Sequence, residues 1–433
     1  MQKTITINTL VLFGIILFFT SCKKDYGNLN NATVESFLKN ASQSELNNLV
    51  SGTESGMRNV LNLYLDDIGT IGREGYHFSG SEPRYVTDLL GASNATLSGS
   101  NFYIANPWAA RYRVIKNCNT LIQAATNSTL ITDAQKQGYI GFARTIKAYQ
   151  LLMNLNLTDS NGIRIDVTDP NHLGPLVNYD NALAAITLLL DSAKTDINAA
   201  TISFPLAGFS GLSDAVGLTK FNRALAARVS VYQKNWPDAL TDLNESFFGL
   251  NTGFNVGVFH VFGTGSGDQL NPLFIPQNQT GEIRLAHPSY ATDIEAGDDR
   301  INKATLRTAA ASLNGLSSNR DVWVYTSSTA PIPIIRNEEL ILIYAEASIQ
   351  SYNFPEGVKA INVIRNGHGL ANYAGVVDHD NLITEMLNQR RYSLFFEGHR
   401  WIDMRRYNLL NTLTIDRPGD DVWTQFPLPV TEQ

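Results

Sequence analysis

Cysteine is nearly missing from this chain: there are two in 433 residues, Cys22 and Cys118. No disulfide framework can be built from them, so the fold has to hold by packing. Charge is scarce too, at 17% of residues, and its balance is acidic, with 33 Lys and Arg against 40 Asp and Glu. That balance lacks the electrostatic footprint of a phosphate-neutralising surface and argues against nucleic acid as a partner. Low charge beside 43% hydrophobic residues also argues against a disordered chain. Apolar runs long enough to span a bilayer are absent; Leu10 to Phe19 reaches about half of the roughly 20 residues required. Catalytic signatures are absent as well: no G-x-S-x-G, no H-E-x-x-H and no P-loop. "GTGSGD" (263–268) puts Asp268 where a dinucleotide-binding loop needs its third glycine. The seven histidines are scattered, and "EAGDDR" (295–300) and "DHDN" (378–381) lack the spacing of a calcium loop. The expectation is therefore no cofactor, no metal and no enzyme activity. Glycosidase-like carboxylate pairs can be drawn anywhere in such a chain and none is privileged.

What is present begins with an address. Lys3 and the apolar run read as a secretory signal. It ends in "FFTSC" (18–22), which resembles the lipobox at which bacterial lipoproteins are cleaved and acylated on cysteine. An ordinary secretory signal with an incidental cysteine is the alternative. On the lipoprotein reading, residues 1–21 are the signal peptide, 22–34 the lipidated Cys22 with a polar tether, and 35–433 one folded domain. The protein would then be anchored to a membrane rather than embedded in it. Cys118 is expected as a lone buried thiol on a helix.

Beyond the tether the strongest periodicity is helical. "WAARYRVIKNCNTLIQAAT" (108–126) places Tyr112, Ile115, Leu121 and Ile122 on one face, and residues 136–156 and 181–200 behave likewise. Ala143, Ala148, Ala184 and Ala226 are small enough to let helices approach closely. A repeat is visible: "NWPDALTDLN" (235–244) and "NFPEGVKAIN" (353–362) agree as Asn, aromatic, Pro, acid, small, aliphatic, two free positions, aliphatic, Asn. Asn can cap, Pro fits the first turn, and Asp238 or Glu356 faces the positive end of the helix dipole. Each copy follows an alanine-containing helix, the pattern of a helical hairpin. Residues 66–107 and 249–333 differ: rich in Gly, Ser, Asn and aromatics, they read as long loops with a few small strands, and loops of that length are usually functional. The fold class expected is mainly α, a tetratricopeptide-like helical repeat scaffold with long loops and a few short β-strands.

"QRRYSLFFEGHRWIDMRRY" (389–407) packs five arginines among aromatics. Glu397 lies three residues before Arg400 and Asp403 three before Arg406, spacings that suit helix-surface ion pairs. Stacked, paired arginines read as buried architecture, so changing Arg400 is expected to cost stability before ligand affinity.

These residues carry a resemblance. The lipobox cysteine, "RNEELILIYAEASIQ…EGVKAINVIRNGHGL" and "QRRYSLFFEGHRWIDMRRYN" resemble the SusD/RagB family of outer-membrane nutrient-binding lipoproteins of Bacteroidetes. Arg336, Glu339, Glu346, Asn362, Arg365, Arg390, Glu397, Gly398, Arg400, Asp403 and Arg406 fit its pattern; Gln389 and Ser393 replace glutamates, and Tyr407 a tryptophan. The resemblance implies a lid that captures oligosaccharides and delivers them to a SusC-like TonB-dependent transporter without catalysis, with peptides as the alternative ligand; a surface glycoside hydrolase is a third reading, from outside the resemblance. "CKKD" (22–25) resembles the family's signal for export to the cell exterior, which implies an outer-membrane location. Family members take ligand contacts from the two loop regions, here carrying Arg73, Tyr76, His77, Tyr85, Tyr103, Tyr290, Trp323 and Tyr325. Trp108, Trp236 and Trp401 are assigned to helix packing.

Overall fold

The structure, a computed structural model, describes residues 38–432. The signal segment, Cys22 and the tether lie outside the described residues, as does the export signal. Twelve α-helices form among the described residues: α1 (Gln43–Arg58), α2 (Leu61–Ile71), α3 (Phe102–Asn127), α4 (Asp133–Thr158), α5 (Tyr179–Asn198), α6 (Ala215–Tyr232), α7 (Trp236–Glu245), α8 (Pro288–Asp293), α9 (Asn337–Gln350), α10 (Phe354–Gly367), α11 (His379–Ser393) and α12 (Arg400–Arg406). Local signals start them: Ser42 with Glu45 and Thr132 with Gln135 form capping boxes for α1 and α4. Helices α3 to α7 each pack on the next, α7 packs on α9, and α9 on α10 and α11, a tetratricopeptide-like succession. Ala143, Ala148 and Ala226 are buried at these contacts. Ala184 is not: it faces outward, and Ala182 and Ala193 are the buried alanines of α5. Cys118 is buried on α3, and burial pushes its thiol up to about 12. No helix of the described residues is long and apolar enough to cross a membrane.

The sequence repeat is a structural repeat. Hairpins α6–α7 and α9–α10 turn through Lys234 and Tyr352, both at φ 58°, at the same repeat position. The next amide closes each turn, Asn235 donating to the Ser230 carbonyl (2.9 Å) and Asn353 to that of Ser348 (2.8 Å). A left-handed residue other than glycine costs roughly 1–2 kcal/mol, so its recurrence reflects a turn that packing imposes twice. The copies differ at the cap, where the Asn235 side chain accepts from the Asp238 amide but the Asn353 side chain makes no cap bond, and in packing: a Cβ on Gly357 would lie 2.6 Å from Ile349 Cγ1, so the second hairpin closes tighter than the first, where Ala239 fits.

Strands β1 (Gly75–Phe78), β4 (Gly257–His260), β5 (Ile283–Ala286), β6 (Ala304–Leu313), β7 (Leu316–Val322) and β8 (Ile332–Arg336) arise in the two loop regions; β2 (Ile163–Arg164) and β3 (Leu176–Val177) form a small ribbon. The main sheet runs β1-β5-β7-β6, all antiparallel neighbours. Tyr76, Phe78, Ile283, Leu285 and Leu316 join Val86 and Leu90 in an apolar cluster. The alternate residues, His77 and Arg284, meet Asp66 of α2 instead, with Arg284 clamping its carboxylate at 2.6 and 2.7 Å. Burial alone would raise the Asp66 carboxyl; Arg284 and His77 bring it down to about 2.

The arginine-rich stretch is buried architecture, as read. Asp403 joins Arg390 (2.7 Å) and Arg406 (2.9 Å), and Arg406 reaches Glu346 of α9 (2.8 Å), which also accepts from Tyr407 (2.8 Å). Against the upward push of burial, those two guanidiniums hold the Asp403 carboxyl at about 2. Arg228 of α6 pairs with Glu339 (2.7 Å). One expected pair is not formed. Glu397 turns to Arg336 (2.8 Å) rather than Arg400, because α12 starts only at Arg400 and Gly398 (φ 84°) breaks the chain direction between them. A Cβ there would also stand 2.9 Å from Leu65. Gln389 and Ser393, the positions where the family pattern has glutamate, both accept from Arg300 (2.7 and 2.9 Å), whose charge is met by Asp298 (2.6 Å). A neutral pair suffices there because the aspartate of the 297–300 turn supplies the anion.

Candidate functional site

Six of the eight side chains expected at the ligand are built into the fold. Arg73 is buried and donates to the carbonyls of Ile71, Thr414 and Asp421, tying α2 to the C-terminal segment. Tyr76 is buried and donates to Asp416 (3.0 Å), which also binds His287 (2.8 Å). His77 is buried between Asp66 (3.2 Å) and Glu282 (3.1 Å). Tyr103 donates to Asp88 and accepts from the Ser98 amide and Asn101, fixing the loop before α3. Tyr290 donates to the Arg300 carbonyl and packs on Phe395, and Tyr325 donates to the Phe396 carbonyl. Burial pushes the phenols of Tyr290 and Tyr325 well up. These six offer no face to a ligand in this conformation. Their aromatic rings order the loops, because a loop can bury a phenol only if its hydroxyl finds a partner.

Tyr85 and Trp323 remain half-exposed, and each sits in an aromatic pair. Tyr85 stacks on His77 (ring centroids 3.9 Å) and meets the edge of Phe102 (5.3 Å). Trp323 packs against Phe274 (6.1 Å). Register brings the pairs to one end of the sheet. Phe78 lies opposite Ile283, and Leu285 opposite Asp321, so the chain beyond Asp321 runs toward the Glu282 end of β5. Glu282 is 61% exposed there and receives His77; Arg84, 42% exposed, lies over Phe102 (4.8 Å) while held by Glu82 (2.6 Å). The loop that carries Phe274 is fastened across the sheet by Asn278, whose amide donates to Asp321 (2.8 Å). Phe102, Phe274, Glu282 and Arg84 were not singled out in the sequence. Phe102 and Phe274 could have been found as aromatics flanking the chosen ones; nothing marks Glu282 or Arg84. Half-buried aromatic faces beside an exposed carboxylate and guanidinium can take up the apolar face of a sugar ring while binding its hydroxyls.

The carboxylates of "EAGDDR" are already engaged: Glu295 by Arg365 (2.8 Å), Asp298 by Arg300, and Asp299 by His368 (2.8 Å). In "DHDN", Asp378 caps α11. Trp108 and Trp401 are buried in helix packing, but Trp236 is half-exposed and lines a cavity.

Residues 296–424 match the SusD family. No curated protein matches the chain. Solved structures similar to it include a SusD superfamily protein from Bacteroides vulgatus (14% identity, TM-score 0.69, covering 90% of this chain and 96% of that one). NanU of B. fragilis is similar at 14% identity (TM-score 0.67, 93% and 96%). A SusD-like carbohydrate-binding protein from B. vulgatus is similar at 15% identity (TM-score 0.64, 84% and 83%). At such identities these structures speak for the fold, which spans nearly all of the described residues. The arginine-rich signature lies inside the segment that matches the SusD family, and the fold around it is that of the SusD superfamily structures.

Proposed function

We propose that the protein is a glycan-binding protein rather than an enzyme, and that it holds an oligosaccharide on the aromatic surface at the end of the main sheet. The match of residues 296–424 to the SusD family, within a SusD-like fold, carries this reading; Tyr85 and Trp323 are the two expected contact residues that stay half-exposed. The protein would be anchored through lipidated Cys22 at the outer membrane, facing the exterior, and would pass its ligand to a SusC-like TonB-dependent transporter.

Calorimetric titration of the purified protein with a pool of neutral oligosaccharides and a pool of peptides tests the ligand class. The expected result is saccharide binding without product formation, weakened about tenfold or more by Trp323→Ala or Tyr85→Ala, each tenfold being about 1.4 kcal/mol. Binding unchanged in both variants removes this surface as the site. Binding of peptides alone moves the ligand to that class, and release of cleaved sugar makes the protein a hydrolase.

A further inference from the structure

Four arginines of the stretch 389–406 have carboxylate partners: Arg390 with Asp403, Arg391 with Asp293, Arg405 with Asp159, and Arg406 with Glu346 and Asp403. Arg400, the fifth, makes no ion pair and no hydrogen bond among the described residues, although it is only partly exposed. It lines a cavity of about 610 Å³ bounded by α7, α11, α12 and the turn that follows α12. That volume lies within the range of roughly 300–1,000 Å³ typical of small-ligand sites. The cavity shares no lining residue with the aromatic surface at the sheet end.

Its electrostatics are one-sided. Lys234, Arg391, Arg400 and Arg406 line it, with Asp380 as the acid among the lining residues. Asp380 is hydrogen-bonded to His379 (2.7 Å) and is 97% exposed, where solvent screens its charge. The acids behind the wall do not neutralise Arg400 either. Asp403 is committed to two other guanidiniums, and Glu74 accepts the Phe396 amide while burial holds its carboxyl up to about 8. Burial and the neighbouring Arg391 pull Arg400 down to about 10, so it keeps its charge at neutral pH. A guanidinium held in a concave wall without a counter-ion is costly, and an anionic ligand removes that cost. Trp236 and Tyr407 add aromatic surface, and Thr384 and Asn388 add neutral hydrogen-bonding groups.

We propose that this cavity is a second ligand site, for a carboxylate-bearing sugar whose carboxylate sits on Arg400 and whose ring lies against Trp236. The sugar class rests on the function proposed above; the anion preference rests on Arg400 alone.

The test uses the full chain purified in detergent, titrated with galacturonate and galactose, which differ by a carboxylate in place of a hydroxymethyl group. Galacturonate should bind at least about tenfold more tightly than galactose, and added salt should weaken it. Arg400→Met should abolish that preference, Arg400→Lys should keep part of it, and Trp323→Ala should leave it unchanged. Arg400 has no internal partner to orphan; should Arg400→Met still fold poorly, Trp236→Ala is read instead and should weaken galacturonate without touching the charge. Equal binding of the two sugars, no galacturonate binding, or a preference that survives Arg400→Met overturns the proposal. Neutral glycans that bind through Trp323 while galacturonate does not bind would sink this site and leave the proposed function standing. Binding of peptides but of no neutral glycan, with galacturonate bound by the parent and lost on Arg400→Met, would sink the proposed function and keep the anion site.

Discussion

Residues 66–107 and residues 389–407 are both crowded with aromatics and charges, yet they spend them differently. In the C-terminal stretch the charges face inward and satisfy one another across helices, Asp403 to Arg390 and Arg406 to Glu346. In the N-terminal loops the aromatics face inward, and their hydroxyls donate to side-chain carboxylates, Tyr103 to Asp88 and Tyr76 to Asp416. Each region leaves its odd member outside: Arg400 without an anion in one, Tyr85 with an uncovered face in the other. The lesson is that density of recognition-type residues does not mark a site. A side chain of that type left uncovered by the fold does.

The sharpest way to break that contrast is Asp403→Ala, which strands Arg390 in the interior and leaves Arg406 with Glu346 as its carboxylate partner. The expected cost is about 3–5 kcal/mol, seen in chemical denaturation, with glycan affinity of the folded fraction intact. Tyr103→Phe asks whether the loop aromatics are as structural as the arginines. Losing a buried hydroxyl that serves Asp88, Ser98 and Asn101 should cost about 1–3 kcal/mol, again without loss of binding.

Glu74→Gln should stabilise, and only above acid pH. In the unfolded chain this carboxyl ionises near 4.5, whereas burial keeps it protonated up to about 8 in the folded protein. Stability is therefore full below 4.5 and falls as pH rises from there to about 8. The glutamine variant should match the parent near pH 4 and exceed it near pH 8, as melting curves at the two pH values will show. Trp323→Ala lies at the small end for stability, within about 0.5 kcal/mol. A larger loss on denaturation would make Trp323 one more structural aromatic.

Helices and the hairpin repeat were legible because their causes are local: capping pairs, period, and the Asn-aromatic-Pro-acid start. The family signature was legible for the same reason. Burial of the loop aromatics was not, since Tyr76 finds its partner in Asp416 and Arg73 in Thr414, far along the chain. Glu397 misled for a different reason: spacing of three predicts a pair only within one helix, and the left-handed Gly398 ends that premise. Tyr85 and Trp323 stay half-exposed, but the grounds for choosing them applied equally to the six that the fold consumed.

The clamp of Arg73 on the C-terminal segment also has a kinetic side. Its bond to Thr414 closes a loop of 341 residues, an entropic cost on the order of 5 kcal/mol by the logarithmic scaling of loop closure. Hairpins such as α6–α7 close over a few residues and bear almost none of it. Folding is thus expected to finish at this seam, with the amides of Asp421 and Phe426 gaining protection from exchange only in the slowest phase, after those of α6 and α9.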